Sequence, residues 1–422
     1  ERWENMKEKE RNPLRVIELF AGIGSQAKAL KNLKIPIIHH RVVEFDKYAI
    51  KSYNAIHNTN FETCDITQIS GKDLGIIDTD KNDYLLTYSF PCQDLSIAGK
   101  LKGMAREDNT RSGLLWEVER LLKEIDELPQ YLLMENVPNV IGKKNIGDFN
   151  EWLSFLESLG YKNFYKILNA KDYGIPQNRK RCFMISILKS KNQIYQFPKP
   201  IPLTLKLADM LEDKVDEKYF LSDTQLERVI DTTYESGNSG FKILIPEKTK
   251  RGYAEAEEGD GVYINRPHQK RGVVQKGMIQ TLKTSGNDVG VVVRGNYSPS
   301  GHNASRIVDK NGLAPTVMEN HGTVTTVVVK PNVKNINNEN DVFTTLGTNC
   351  GSSTSAGGGV VKTNLGIRRL TPKECWRLMG FSDDDFDKAS KVNSNTQLYK
   401  QAGNSIVVSV LENIFKKLFN EK

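Results

Sequence analysis

The chain has 422 residues, a net charge of +7 and a pI near 8.9, with 38% hydrophobic and 26% charged residues. That composition fits a soluble globular protein of one large or two ordinary domains, and its basic balance permits a polyanionic partner without requiring one. No run of about 18 apolar residues exists to span a membrane, and residues 1–11 lack the apolar core of a secretory leader. The five cysteines (64, 92, 182, 350 and 375) form no Cys-x-x-Cys pair, which argues against structural zinc and a disulfide framework and points to a reducing, cytoplasmic setting.

From residue 14 to about 188, apolar runs alternate with amphipathic stretches. Strands are predicted at 15–20, 37–44, 84–89, 131–134 and 182–188, with another expected just before Cys64, and helices at 24–33, 47–56, 112–125 and 149–159. Such alternation predicts an α/β protein with a doubly wound, mostly parallel sheet, whose ligands bind beyond the C-terminal strand ends. After about 191 the character changes. Pro198, Pro200 and Pro202 punctuate the exit, and Gly, Asn, Ser, Thr and Val dominate 235–365. This stretch reads as β-rich and loop-heavy. Within it, 279–282, 314–317 and 343–346 each lead across a Gly-containing turn into a Val-rich run, either a loose internal echo or ordinary hairpins. Helices return at 371–379 and 405–419. The simplest layout is a sheet domain at 12–190, interrupted by a β-rich insert at 191–365 and completed by 366–422.

The sequence 15–25, Arg-Val-Ile-Glu-Leu-Phe-Ala-Gly-Ile-Gly-Ser, runs from a strand through a glycine turn into a helix. It is either a plain tight turn or a place where a ligand approaches the backbone at a helix N-terminus. Glu44 and Phe45 end the second strand. A carboxylate there is either solvated or holds ribose hydroxyls, with Phe45 able to stack on a flat ring. Cys92 follows the strand 84–89 through Phe90 and Pro91, with Gln93 next. Free cysteine is usually a small buried hydrophobe, but this one stands at a polar strand exit. Glu135-Asn136-Val137-Pro138 ends a second apolar strand 43 residues on. A thiol and a carboxylate at one rim suggest nucleophilic attack on an electrophile that must also be protonated. Gln177-Asn178-Arg179-Lys180-Arg181 places two arginines on one face at a strand start, where cations favour a thiolate.

In this order these segments resemble the DNA (cytosine-5) methyltransferase family, bacterial and phage modification type, over about 14–190 and 366–418. Phe20-x-Gly22-x-Gly24 is similar to the family's S-adenosylmethionine loop, Phe90-Pro91-Cys92-Gln93 to its nucleophile motif, Glu135-Asn136-Val137 to its cytosine-clamping motif, and Gln177-x-Arg179-x-Arg181 to its arginine motif. Residues 368–375 resemble the segment that buttresses the recognition domain, and Gln401-Ala402-Gly403-Asn404-Ser405-Ile406 the last motif, which packs beside the cofactor loop. The insert occupies the place of the target recognition domain.

The resemblance implies a class I S-adenosylmethionine-dependent fold and transfer of a methyl group to carbon 5 of a cytosine flipped from double-stranded DNA. It implies Cys92, Glu135, Arg179 and Arg181 as catalytic residues. Phe20, Gly22, Ile23, Gly24, Glu44, Phe45, Asp65, Ile66, Pro91, Leu115 (or Leu114), Asn404 and Ser405 are implied around the cofactor, and Gln93, Asn136, Val137 and Gln177 at the substrate. It implies S-adenosylhomocysteine as product, no metal, no membrane and a monomer, and it leaves open whether a cognate restriction endonuclease exists as a separate protein. The span 95–109 is expected to close over the flipped base. Lys270, Arg271 and Arg294-Gly295-Asn296 are candidate groove or phosphate contacts. A tRNA cytosine methyltransferase on the same fold is disfavoured by Phe90, where Pro-Pro-Cys is typical. A silent DNA-binding scaffold has no use for Cys92 with Glu135, and a nicotinamide oxidoreductase does not explain Cys92, Glu135 and the arginines together.

Overall fold

A computed structural model describes residues 12–91, 111–220, 232–235, 241–264, 271–284, 289–294 and 365–420. Cys92, Gln93, the span 95–109, Lys270, Gly295, Asn296 and most of the Val-rich echo lie outside the described residues. The chain divides into two compact units, one from Glu1–Leu205, Lys283–Ser285 and Cys375–Lys422, the other from Lys206–Leu282 and Gly286–Glu374.

In the first unit a six-stranded sheet is built from β1 (Leu14–Leu19), β2 (Ile37–Val43), β3 (Tyr84–Tyr88), β4 (Tyr131–Asn136), β5 (Tyr161–Asn169) and β6 (Lys180–Leu188), in the order β2-β1-β3-β4-β6-β5. β1, β3 and β4 are almost wholly buried, as expected of parallel strands covered on both faces, which is why they read as unbroken apolar runs. The strand order reverses between β1 and β3, and the crevice at such a switch point is where ligands bind. The four strands β2, β1, β3 and β4 pair in parallel. β6 is antiparallel to both β4 and β5, so the start of β6 lies at the same rim as the end of β4, with Asn136 opposite Cys182.

Helices α1 (Ser25–Asn32), α2 (Lys47–His57), α3 (Leu115–Glu124) and α4 (Ile146–Ser158) connect the strands. Asp46 caps α2 by accepting from the Tyr48 and Ala49 N–H groups, and α3 is preceded by a 3₁₀ turn, Arg111–Leu114. A short helix α5 (Pro372–Arg377) precedes α6 (Asp383–Ser390), α7 (Asn395–Asn404) and α8 (Val408–Phe415). Lys28 pairs with Asp385 at 2.7 Å and Asn32 donates to Glu412 at 2.6 Å, which ties α1 to α6 and α8.

Several elements differ from the sequence reading. No strand precedes Cys64: that stretch is irregular, and the Cys64 N–H donates to the Glu44 carbonyl at 2.8 Å. Strand β5 was not expected because its partly exposed residues do not alternate cleanly. α6 and α7 were also missed. α6 has few apolar residues, and its signal is the reciprocal cap of Ser382 and Asp385.

The regular structure described in the second unit is largely strand. β7 (Thr232–Glu235), β8 (Phe241–Pro246) and β9 (Tyr253–Ala256) form one antiparallel sheet. A second sheet contains β10 (Gly261–Tyr263), β11 (Val274–Gln275), β12 (Val289–Arg294) and β13 (Leu365–Arg369). Ile243, Ile245, Ala256, Val262, Val273 and Val292 make its apolar core. Arg368 forms a buried two-pronged pair with Glu374 at 2.7 and 2.8 Å, and Glu374 also accepts from the N–H groups of Thr371 and Glu212.

Candidate active site

Beyond β1 the chain turns sharply at Phe20, Gly22 and Gly24, all left-handed with φ of 56°, 57° and 80°. A non-glycine residue there costs roughly 1–2 kcal/mol, a strain borne by Phe20. The space a side chain would fill at Gly22 is open, with no atom within 4 Å. At Gly24 a Cβ would lie 2.3 Å from His57 Nε2 and 2.7 Å from Tyr53. The Gly22 N–H donates to Glu44 Oε2 at 2.8 Å and the Asp46 N–H to Glu44 Oε1 at 2.9 Å. Glu44 is therefore fixed against the loop, and burial raises its carboxyl above the usual range despite those two donors. Phe45 beside it is 73% exposed, an unusual position for a large aromatic residue.

Asp65 and Ile66 follow directly on the Cys64 contact to Glu44. The exposed Asp65 carboxylate accepts from the Thr67 N–H and hydroxyl, both at 2.9 Å. Ile66 is buried, its carbonyl accepting from Arg120 at 3.1 Å. Pro91 is half-buried at the exit of β3.

At the rim of β4, Glu135 is 8% exposed, and Arg181 Nε lies 3.1 Å from Glu135 Oε1. Burial pushes this carboxyl upward, opposed by Arg181, then by Arg179 and a hydrogen bond with the Ser89 side chain. Burial favours the neutral form and the two arginines the ionised one, opposing influences of the kind that mark functional carboxyls. Arg181 also donates to the Lys180 carbonyl at 2.7 Å. The Asn136 amide donates to the Phe90 carbonyl at 3.1 Å, which pins the exit of β3, and so the chain entering Cys92, to the end of β4. Val137 is half-buried one residue on, its N–H bonded to Asn136 Oδ1 at 2.8 Å. Cys182, opposite Asn136, is no rival nucleophile: it is fully buried, and burial with the nearby Glu135 charge pushes its thiol up to about 12.

Arg179 is 3% exposed, and its Nη2 donates to the carbonyls of Gly403 at 2.8 Å and Ser405 at 2.9 Å. On the other side of that segment, Lys400 pairs with Asp46 at 2.6 Å. The Gln401 amide donates to the Tyr48 carbonyl at 3.0 Å and accepts from Ser52 at 2.9 Å. Asn404, exposed at the end of α7, is in this way held between the arginine segment and the start of α2, beside Glu44 and Phe45.

Five of the candidate residues are buried in this structure. Leu115 is fully buried in the apolar core, whereas Leu114 is only half-buried, so Leu114 is the residue of that pair that can face a ligand. Gln177 is fully buried, its amide donating to the Leu378 carbonyl at 2.8 Å. Asn136 is buried, bonded to Phe90, and so builds the rim from within. The Ser405 hydroxyl turns inward to the Gln401 carbonyl at 2.7 Å. The Ile23 side chain packs inside, and its carbonyl lies 3.1 Å from His57 Nε2. Ser89, Ser52, Lys400 and Gln401 were not assigned as site residues; Ser89 directly precedes the Phe90-Pro91-Cys92-Gln93 motif and Gln401 opens the last one, whereas Ser52 and Lys400 lie in no recognisable motif. Among the described residues no group of three or more His, Cys, Asp or Glu side chains is arranged to hold a metal ion. No described helix is long and apolar enough to cross a membrane.

A sequence profile described as C-5 cytosine-specific DNA methylase matches residues 14–420. The type II methyltransferase M2.ScrFI of Lactococcus lactis subsp. cremoris is 31% identical over 97% of this chain and 100% of its own length. The orphan methyltransferase M.SPBetaI of Bacillus phage SPbeta is 29% identical over 96% and 98%. Among solved structures, the Entamoeba histolytica methyltransferase EhMeth superposes with a TM-score of 0.57 at 18% identity, covering 97% of this chain and 98% of that one, which speaks for the class I methyltransferase fold. Profile, relatives and fold agree, and the chain belongs to the C-5 cytosine-specific DNA methylase family.

Proposed function

We propose that this chain transfers a methyl group from S-adenosylmethionine to carbon 5 of a cytosine flipped out of a short duplex site, with Cys92 as nucleophile. The observation that carries the reading is the buried Glu135 carboxyl at the end of β4, paired with Arg181 and tied through Asn136 to the strand exit that leads into Cys92. Carbon 5 of cytosine is too weak a nucleophile to take a methyl group unaided. Addition of the Cys92 thiolate to carbon 6 makes carbon 5 enamine-like, while Glu135 hydrogen-bonds ring nitrogen 3 and the exocyclic amine. Methyl transfer is followed by loss of the carbon 5 proton to a base and departure of the thiolate. Arg181 contacts the cytosine carbonyl oxygen. Arg179 acts one step back, fixing the segment that carries Asn404. Val137 and Gln93 border the flipped base.

The cofactor supplies an electrophilic methyl group and leaves as S-adenosylhomocysteine. Its fit to the cradle rests on the open space over Gly22 and on the exposed ring of Phe45 beside a fixed carboxylate. Glu44 keeps lone pairs for the ribose hydroxyls, Phe45 stacks on the adenine, and Asp65 and Ile66 edge it. Phe20, Gly22, Gly24, Pro91, Leu114 and Asn404 line the remainder. Residues 191–365 serve as the target recognition domain between the catalytic segments 12–190 and 366–422. Flipping the base costs a few kcal/mol, and phosphate contacts make binding fall with salt. The chain acts as a monomer on double-stranded DNA in the cytoplasm, with any cognate endonuclease a separate protein.

The test is bisulfite sequencing of unmethylated plasmid after incubation with protein and S-adenosylmethionine, with Cys92→Ala in parallel. Protected cytosines at one recurring short site, absent with the variant, are the expected result. DNA binding by the wild-type protein without any protected cytosine would overturn the reading.

A further inference from the structure

Beneath the cofactor loop lies a buried polar group that the chemistry above does not use. Glu18 on β1, His39 on β2, and Tyr53 and His57 on α2 meet under residues 20–27. The Tyr53 hydroxyl donates to Glu18 Oε2 and lies 2.7 Å from His39 Nδ1. Glu18 Oε1 accepts from the Ala27 N–H at 3.3 Å, in the first turn of α1. The Tyr53 and His57 rings stand 4.6 Å apart, and His39 lies 5.2 Å from His57. His57 Nε2 is 3.1 Å from the Ile23 carbonyl. A carbonyl only accepts, so Nε2 carries the proton, and Nδ1 is left to accept from Lys31 at 3.4 Å.

We propose that His57, braced by Tyr53, is a positioning residue that sets the depth at which the loop presents Gly22 and Glu44 to S-adenosylmethionine. The inference rests on the cofactor reading given above. The back of Gly24 lies against His57 and Tyr53 without room for a methyl group, so the loop has no freedom to sink. Its carbonyl at Ile23 is anchored to His57, so it has none to lift. On the opposite side the Gly22 N–H is bonded to Glu44, so a tilt of the loop carries the ribose-holding carboxylate with it. The His57 ring is fit for a fixed role: burial and Lys31 push it down to about 3, which leaves one neutral tautomer across the physiological range. None of these four side chains belongs to the Glu135 rim, so the effect falls on the cofactor and not on DNA.

The experiment is calorimetric titration of the full chain with S-adenosylmethionine and S-adenosylhomocysteine, for wild type, His57→Leu and His57→Gln, with KM for cofactor and for DNA measured alongside. The Gln amide nitrogen reproduces the position of Nε2, while Leu fills the space without a donor. Losing the anchor is expected to weaken cofactor binding about tenfold in His57→Leu. The Gln variant is expected to stay within about threefold of wild type, with the change in KM for the cofactor and not in kcat or in KM for DNA. Should the Leu variant not fold, His57→Asn, whose amide stops one bond short of the Ile23 carbonyl, takes its place with the same expectation. Wild-type affinity in the donor-less variant, or equal losses in both variants spread over kcat and KM for DNA, overturns the proposal. A wild-type protein that binds neither compound overturns the cofactor reading instead.

Discussion

Replacing Arg179 separates two roles that an arginine at this position can have. Its Nη2 donates to the Gly403 and Ser405 carbonyls at the C-terminal end of α7, at 2.8 and 2.9 Å, in an environment where the side chain is nearly inaccessible. Hydrogen bonds from a charged donor contribute roughly 1.5–3 kcal/mol each. Part of that is offset because the guanidinium no longer has to be buried. Arg179→Met, which keeps the apolar stem, is therefore expected to lower stability by about 2–4 kcal/mol in urea unfolding. Arg179→Lys keeps the charge but not the planar fork, and is expected to recover no more than half of the loss. Because Asn404 sits between the two carbonyls, KM for S-adenosylmethionine is expected to rise in Arg179→Met while KM for DNA holds. Unchanged stability together with a collapse of kcat would refute this reasoning, since it would place the guanidinium on the reacting base and not on the backbone of the C-terminal segment.

The glycines of the cofactor loop are expected to fail differently. Gly22→Ala carries only the backbone strain of a left-handed residue, roughly 1 kcal/mol in unfolding, yet its methyl fills the cofactor space, so calorimetry should show affinity falling more than about tenfold. Gly24→Ala adds the collision with His57 and should cost about 2–4 kcal/mol of stability. Leu115→Ala is expected to lose about 2–5 kcal/mol in chemical denaturation and Leu114→Ala far less, with the rise in cofactor KM confined to Leu114→Ala; the reverse pattern would reassign the pair. Burial pushes Glu18 up to about 7 from 4.5, so its proton is retained in the folded protein and lost from the unfolded one between those values. The resulting stabilisation is fully present below pH 4.5 and lost as pH rises through 7, up to about 3 kcal/mol. His39 and His57, pushed down to about 4 and about 3, act in the opposite sense but are common to both proteins. The stability of wild type minus that of Glu18→Gln, from urea unfolding, should therefore shrink from pH 4.5 to 7, and a constant difference would count against a buried, protonated Glu18.

Much of the fold was legible because the central strands are apolar on both faces and the loops that follow them carry distinctive residues. Tyr84–Tyr88 and Tyr131–Asn136 could be read this way, and with them the common rim of Phe90 and Glu135. The meeting of Arg181 with Glu135 was less visible, because it depends on β6 running against β4, and strand direction leaves no mark in periodicity. The polar residues that build the site from within were read as touching ligands. Gln177 and Asn136 look like recognition residues in the sequence, yet both are consumed by backbone carbonyls. Leu114 and Leu115 differ by one step of helix phase, about 100°, finer than a motif match resolves. Glu18, Tyr53 and His57 gave no signal, because a buried network joins residues 35 and 34 positions apart.

The first unit is assembled from segments that leave the ribosome far apart in time. Its sheet ends by Leu205, but α6–α8 arrive only after Cys375. At usual elongation rates of about 5–20 residues per second, that interval is on the order of ten to thirty seconds. During it Lys28, Asn32, Ser52 and Asp46 lack the partners that later cover α1 and α2, and Arg179 has no carbonyls to hold. A nascent chain therefore carries its sheet and Glu135 well before it carries Asn404. On the function proposed above, cofactor capture therefore waits for α6–α8, which bring Asn404 and the partners of α1 and α2.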